Sequence, residues 1–266
     1  MTMFSALGAG NMANSILAGA VSAGYLSPGE VGTYNVHEEK REAMAAKGYR
    51  VYRTIGELCR ESRYILLSMK PQQAEEVLRE MAPAIGPETV VVSIAAGISA
   101  NYIRGILGEG TKVVLVMPNT PLLVGCGATA MACCPPTTQD EFSYVRGVFS
   151  SAGLVEEIPE DKMNEIIAVS GSTPAYLYLI AKHFCRYAEA KGIEAGTANR
   201  LFCQTMIGAA RMMTESGKSH QELIDMVTSP GGTTLMGLTA LEEGGLEKLI
   251  GDCCDATIRR AYELGR

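Results

Sequence analysis

Residues 4–13 read FSALGAGNMA. Phe4-Ser5-Ala6-Leu7 is a short, mostly apolar run that suits a buried strand. Beyond it, Met12, Ile16, Ala20 and Ala23 recur at helical spacing. Between strand and helix, Gly8, Gly10 and Ala13 match the pattern G-x-G-x-x-G/A. In that setting Gly8 and Ala9 make a tight turn. Gly10 lets backbone approach a pyrophosphate, and Asn11 and Met12 open a helix whose N-terminus attracts negative charge. Ala13 allows helix and strand to pack closely. A plain tight turn would use the same glycines, so the neighbouring elements must decide.

Those neighbours alternate. Strands are expected at Met3–Leu7, Val31–Val36, Tyr64–Met69, Val90–Ile94 and Lys112–Met117. Helices are expected at Asn11–Ala23, Glu38–Lys47, Gln72–Met81 and Ala100–Leu107. Gly24 and Gly48 stand where C-caps belong, and the pairs Thr54/Glu57 and Thr138/Glu141 can form capping boxes. Alternation of this kind means a parallel sheet with right-handed crossovers. After Pro159 period-2 patterning nearly vanishes. Helical stretches follow at Pro174–Lys191, Ala195–Ser216, Gln221–Val227, and twice between Thr233 and Arg266. The fold class expected is α/β: a Rossmann-like parallel sheet domain over 1–158, then an all-α domain over 159–266.

Composition narrows the function classes. The chain has 266 residues, 47% hydrophobic and 20% charged, the profile of a globular protein with a proper core. Net charge is −6 and Lys and Arg form no dense block, which argues against a nucleic-acid partner. The best apolar run, Val90–Ala96, is far too short to span a membrane, and the N-terminus lacks the basic region of a signal peptide. Eight cysteines include two vicinal pairs but no C-x-x-C, and none of the three histidines sits near a cysteine at ligand spacing. No metal site is expected, and free thiols fit a reducing cytoplasm.

In a sheet of this kind ligands lie outside the carboxyl ends of the strands. Those ends carry Gly8–Met12, Ser68-Met69-Lys70-Pro71, Ala95-Ala96-Gly97 and Met117–Thr120, so four blocks fall on one edge. Ser68, Met69, Lys70 and Pro71 are expected along a dinucleotide, with Ala95, Ala96 and Gly97 beneath its nicotinamide, where small residues admit a flat ring. Asn119 is a candidate contact to cofactor or substrate. Lys70 could equally be a surface lysine before a helix-starting proline. The second strand ends in Asn35-Val36 with no acid to hold two ribose hydroxyls. Asn35, with His37, Lys40 or Arg41 nearby, favours the 2′-phosphate of NADP (NADPH) over NAD, though a solvated helix start reads the same way. In the helical half, Ser229-Pro230-Gly231-Gly232-Thr233-Thr234 puts two glycines and three hydroxyls at a helix start, which suits a carboxylate or serves as an ordinary cap.

Five blocks then stand in a specific order: GAGNMA, MKPQQ (69–73), VMPNTPLLVGCGATA (116–130), SGSTPAY (170–176) and VTSPGGTT (227–234). With these the sequence resembles the pyrroline-5-carboxylate reductase family along nearly its whole length, as far as Arg259–Leu264. The resemblance implies NAD(P)H-dependent reduction of 1-pyrroline-5-carboxylate, a cyclic imine carboxylate, to L-proline. It implies a homodimer with interleaved helices, often assembled into rings, in which the 229–234 turn of one chain meets the glycine loop of the other. It further implies that Thr234 hydrogen-bonds the ring nitrogen and that Glu160 lies near the substrate, with Ser229, Gly231, Gly232 and Thr233 around the carboxylate. Three positions depart from the family pattern: Val36 and Leu115 stand where it carries Arg, and Thr173 replaces a Gly. Two other classes compete. A hydroxy-acid dehydrogenase would need a base, for which Lys182 and Lys191 have no supporting motif. A non-catalytic dinucleotide sensor would have no use for 229–234.

Overall fold

The computed structural model describes residues 2–8 and 10–265. Its strands are β1 (Thr2–Leu7), β2 (Val31–Tyr34), β3 (Arg50–Val51), β4 (Ser62–Leu67), β5 (Val90–Ser93), β6 (Lys112–Met117), β7 (Gly127–Cys134) and β8 (Gly153–Glu157). They form one sheet in the order β3-β2-β1-β4-β5-β6-β7-β8. The chain starts in the middle, winds outward to β3, and returns across β1 to β4. That reversal is the topological switch point of a doubly wound sheet. All neighbouring strands are parallel except β6 and β7.

The five expected strands are present, some shifted by a residue or two. The entirely parallel sheet expected from the alternation is corrected by β7, which runs antiparallel to β6. β7 was not expected because GATAMACC is built of small residues without alternation. It is covered on both faces, where alternation carries no signal. β3 has only two residues, and β8 is short and half polar.

Helices α1 (Asn11–Ser22), α2 (Glu38–Ala45), α3 (Ile55–Glu61), α4 (Ala74–Met81), α5 (Ala100–Leu107) and α6 (Gln139–Ser150) fill the crossovers and cover the sheet. Ala13, Ile16 and Leu17 of α1 join Phe142, Val145 and Phe149 of α6 in one core. Leu58, Leu78 and Ile103 from α3, α4 and α5 form the other. Large side chains buried this fully contribute about 1.5–3 kcal/mol each. Both expected capping boxes form, at Thr54/Glu57 and Thr138/Glu141. Glu141 does more than cap. Its buried carboxylate also accepts from Arg63 of β4 at 2.6 Å and Lys112 of β6 at 2.8 Å, tying α6 to two strands.

The helical part holds α7 (Thr173–Ala190), α8 (Ala195–Glu215), α9 (His220–Met226), α10 (Thr233–Glu243) and α11 (Leu246–Leu264), much as the sequence suggested. By packing, the chain divides into 1–174 with 256–266, and 175–255. This division differs from the composition boundary at 158/159. Met163 and Ile167 pack into the sheet core, and so does Ala261 near the end of α11. Among the described residues of 175–255, Ala198 alone is buried.

Candidate active site

The glycine loop is held from below by Ser68. Its N–H donates to the Leu7 carbonyl at 3.1 Å, and its hydroxyl donates to the carbonyls of Leu7 and Gly8 at 2.9 and 2.6 Å. Gly8 N–H donates to the Tyr34 carbonyl at 3.0 Å. Gly8 has φ +95°, and a Cβ there would come within 3.1 Å of the Ser68 hydroxyl. Glycine is thus required for both conformation and space. Gly10 is different: a Cβ there would meet nothing within 4 Å. It is the N-cap of α1, without a side-chain cap and with no acid in the first turn. Asn11 and Met12 follow as the first helical residues. The orphan N–H groups at this helix start are left for a ligand, and the open space lies where an anion would sit. A pyrophosphate fits these residues. Ala9 lies outside the described residues.

A cleft of about 490 Å³ runs from this loop along the switch point, lined by Gly8, Gly10, Asn35, Val36, Met69 and Lys70 among others. Pro71 opens a short 3₁₀ turn, Pro71–Gln73, leading to α4, and needs no N–H there. At the far end Asn35 is buried, and its Oδ1 accepts the His37 N–H at 2.9 Å. A second hollow of about 470 Å³ at the ends of β5 and β6 is lined by Ala95, Gly97, Met117, Glu160 and Tyr262. Ala96 packs against the core. Gly97 has φ +81°, and a Cβ there would strike the Ala261 carbonyl. Its smallness therefore lets the last turns of α11 lie on this loop, a reason the sequence did not show.

Glu160 opens the turn Glu160–Lys162. Burial, then the neighbouring Glu160 carboxylate, push the Cys134 thiol up to about 12. Burial likewise raises Cys59 to about 12, so both stay protonated and inert near neutral pH. None of the eight cysteines is in a disulfide. Asn119 is buried, and its amide works in both directions: Nδ2 donates to the Ser170 carbonyl at 3.1 Å, and Oδ1 accepts the Ala128 N–H at 2.9 Å. Thr173 donates its hydroxyl to the carbonyls of Ala168 and Val169, at the π-helical turn Ile167–Gly171. The substitution for Gly thus adds bonds to a stretch with displaced helical pairing. Leu115 is buried in the sheet core and lines the same hollow as Glu160.

In the other unit, Ser229, Thr233 and Thr234 are exposed and Gly231 has φ +69°. The Gly232 N–H donates to the Ser229 carbonyl at 2.9 Å. Gly232 is the N-cap of α10 and provides no side-chain cap. The ordinary-cap alternative is therefore not what forms. By contrast α3, α5, α6, α8 and α9 are capped by Thr54, Ser99, Thr138, Glu194 and Ser219. α1 and α10 share a different start, a glycine without a side-chain cap, at the two places where the sequence suits an anion.

A doubly wound sheet with such a helix start at its switch point defines a dinucleotide-binding protein. Comparison with known proteins agrees. Residues 160–264 match the model for pyrroline-5-carboxylate reductase dimerisation, and residues 4–97 match that for F420-dependent NADP oxidoreductase. Pyrroline-5-carboxylate reductase of Methanosarcina acetivorans is 34% identical over 98% of this chain and 97% of its own. The Coxiella burnetii pyrroline-5-carboxylate reductase structure superposes with a TM-score of 0.90 at 32% identity, covering 100% of this chain and 99% of that one. A Plasmodium falciparum pyrroline carboxylate reductase, solved with NADP bound, gives 0.91 at 26% identity over 100% and 98%. The chain belongs to the pyrroline-5-carboxylate reductase family. The matched dimerisation region means that it self-associates. No helix among the described residues is long and apolar enough to cross a membrane.

Proposed function

We propose that this protein reduces 1-pyrroline-5-carboxylate to L-proline with NAD(P)H, as a homodimer in the cytoplasm. The observation that carries this reading is the pair of uncapped, glycine-started helices α1 and α10 in one chain of this family. NAD(P)H supplies a hydride to the imine carbon. The N-terminus of α1 holds the pyrophosphate, while Gly8 and Ser68 shape the loop beneath it. Ser68, Met69 and Lys70 line the path toward the nicotinamide end, where Ala95 keeps side-chain bulk low. Asn119 is a positioning residue, because its amide is already bonded to the backbone on two sides. The N–H groups and hydroxyls of Ser229–Thr234 hold the substrate carboxylate, and Thr234 orients the ring nitrogen. An imine that binds already protonated needs only the hydride to become the amine. Thr234 therefore need not act as an acid.

Following NADPH and NADH absorbance with 1-pyrroline-5-carboxylate and with its six-membered homologue tests this directly. Faster turnover of the five-membered ring is expected, and no turnover of either would contradict the reading. The family resemblance further supports a site completed by two copies of the chain. Mixing Gly10→Asp chains with Thr234→Val chains then puts both lesions in one site of the hybrid and none in the other. Activity above both parents is expected, and verified hybrids without it would argue against sharing.

A further inference from the structure

The loop Ala95-Ala96-Gly97 follows the carboxyl end of β5. It is closed as a turn by the Ile98 N–H, which donates to the Ala95 carbonyl at 3.3 Å. Its back is held by the opposite end of the chain. A Cβ on Gly97 would strike the Ala261 carbonyl, and would come within 3.0 Å of the Gly265 nitrogen and 3.3 Å of the Leu264 Cβ. A Cβ on Gly265 would in turn strike the Gly97 carbonyl. Loop and helix end therefore meet backbone to backbone, with no side chain between them to give way. Residues 256–266 pack with the sheet unit, and Ala261 is buried in its core. Beside Ala261, Tyr262 donates its hydroxyl to Glu165 Oε1 at 2.7 Å. That bond raises the phenol above its ordinary value, so it stays a donor at neutral pH. Tyr262 is itself 45% exposed, so the bond rather than burial fixes its ring. Glu165 stands between Met163 and Ile167, both buried in the same core. Its Oε2 is buried with no hydrogen-bond partner among the described residues.

We propose that Tyr262 and Glu165 are positioning residues for hydride transfer: they clamp the last turn of α11 against Gly97 and so fix the loop on which the nicotinamide rests. The proposal rests on the NAD(P)H reading above. Neither side chain touches the reacting atoms. The pyrophosphate is held elsewhere, at the start of α1, so a loosened loop leaves most of the binding energy in place. Hydride transfer is less tolerant, because a small misplacement of the reacting atoms costs rate steeply. Losing the clamp therefore lowers kcat rather than cofactor affinity.

The test measures, on the full chain, NADPH affinity by calorimetry and kcat with saturating 1-pyrroline-5-carboxylate. Tyr262→Phe keeps the ring and removes the donor. Its kcat should fall about fivefold, with NADPH affinity within about twofold of wild type. Glu165→Met should act alike, and the double variant should be no worse than either single one, because the pair works as a unit. Glu165→Gln keeps an acceptor for Tyr262 and should lose less than Glu165→Met. Tyr25→Phe is the control. It removes another tyrosine bond, to the Tyr144 carbonyl at 3.0 Å, and Tyr144 packs against the α1–α6 core instead. It should lower the melting temperature and leave kcat unchanged. Wild-type kcat in Tyr262→Phe would overturn the proposal. So would an equal loss of kcat in Tyr25→Phe, which would make the effect one of stability alone. A wild-type chain that turns over no imine would overturn the reading above and this inference with it.

Discussion

The sheet unit and the helical unit of this chain are comparably apolar in sequence and opposite in how they use it. In the sheet unit, side chains such as Phe4, Leu58 and Phe149 are 0–1% exposed. In 175–255, Tyr187, Leu201 and Leu249 are 63–66% exposed, and Phe184 meets Phe202 at a tilt without being buried. Scattered exposed apolar residues are ordinary, but a unit with one buried residue has no core of its own. The helices are nonetheless regular, and α8 and α9 are capped by Glu194 and Ser219. Local signals specify the helices, and we infer that self-association supplies the burial that stabilises them.

The harshest way to break this contrast is to charge the helical unit. Leu201→Glu with Leu249→Glu would place carboxylates in an apolar interface, at a cost of several kcal/mol each. Light scattering should show monomers, and the helical circular dichroism signal should fall. An unchanged assembly would mean that these positions face water in the oligomer as well.

Gly10→Asp probes the sheet unit from its surface. A Cβ at Gly10 meets nothing within 4 Å, so the fold should be kept. A carboxylate facing the pyrophosphate should weaken cofactor binding by about 100-fold, since like charges brought together cost several kcal/mol. Binding near the wild-type level would remove the helix start from the site.

Glu141→Gln tests what holds the sheet unit together. Burial alone would raise this carboxyl, but the bonds from Lys112 and the Thr138 backbone outweigh it and hold it below the ordinary 4.5. With its pKa depressed in the folded state, Glu141 stabilises fully above the unfolded value, and that stability is lost as pH falls through the folded one. Glu141→Gln should cost about 1–3 kcal/mol at neutral pH and much less in strong acid, as read by thermal melts across pH. An equal loss at every pH would contradict the assignment.

Thr234→Val has the smallest expected effect. It keeps the side-chain shape and removes one hydroxyl, so kcat/KM should fall about tenfold with assembly intact. Unchanged kinetics would leave 229–234 as a carboxylate turn only.

The sequence made some of this legible and hid the rest for physical reasons. Gly8, Gly10 and Ala13 could be interpreted because backbone geometry restricts what can stand there. The capping boxes at Thr54 and Thr138 are local, and both form. β7 was hidden because a strand covered on both faces shows no alternation. The purpose of Gly97 was hidden because its neighbour, Ala261, is more than 160 residues away in the chain. The double use of Asn119 and the ties from Glu141 to Arg63 and Lys112 also depend on partners distant in sequence. Roles at 229–234 came from the resemblance. The structure adds that α10 begins without a side-chain cap.

The sheet unit carries its own core, and the helical unit is expected to depend on a second copy. Amide hydrogen exchange across a dilution series, with sedimentation run alongside, tests it most directly. Protection in 175–255 should fall as the chain dissociates, while protection in β1, β4, β5 and β6 stays constant. A monomer whose helices in 175–255 remain as protected as those strands would contradict the account.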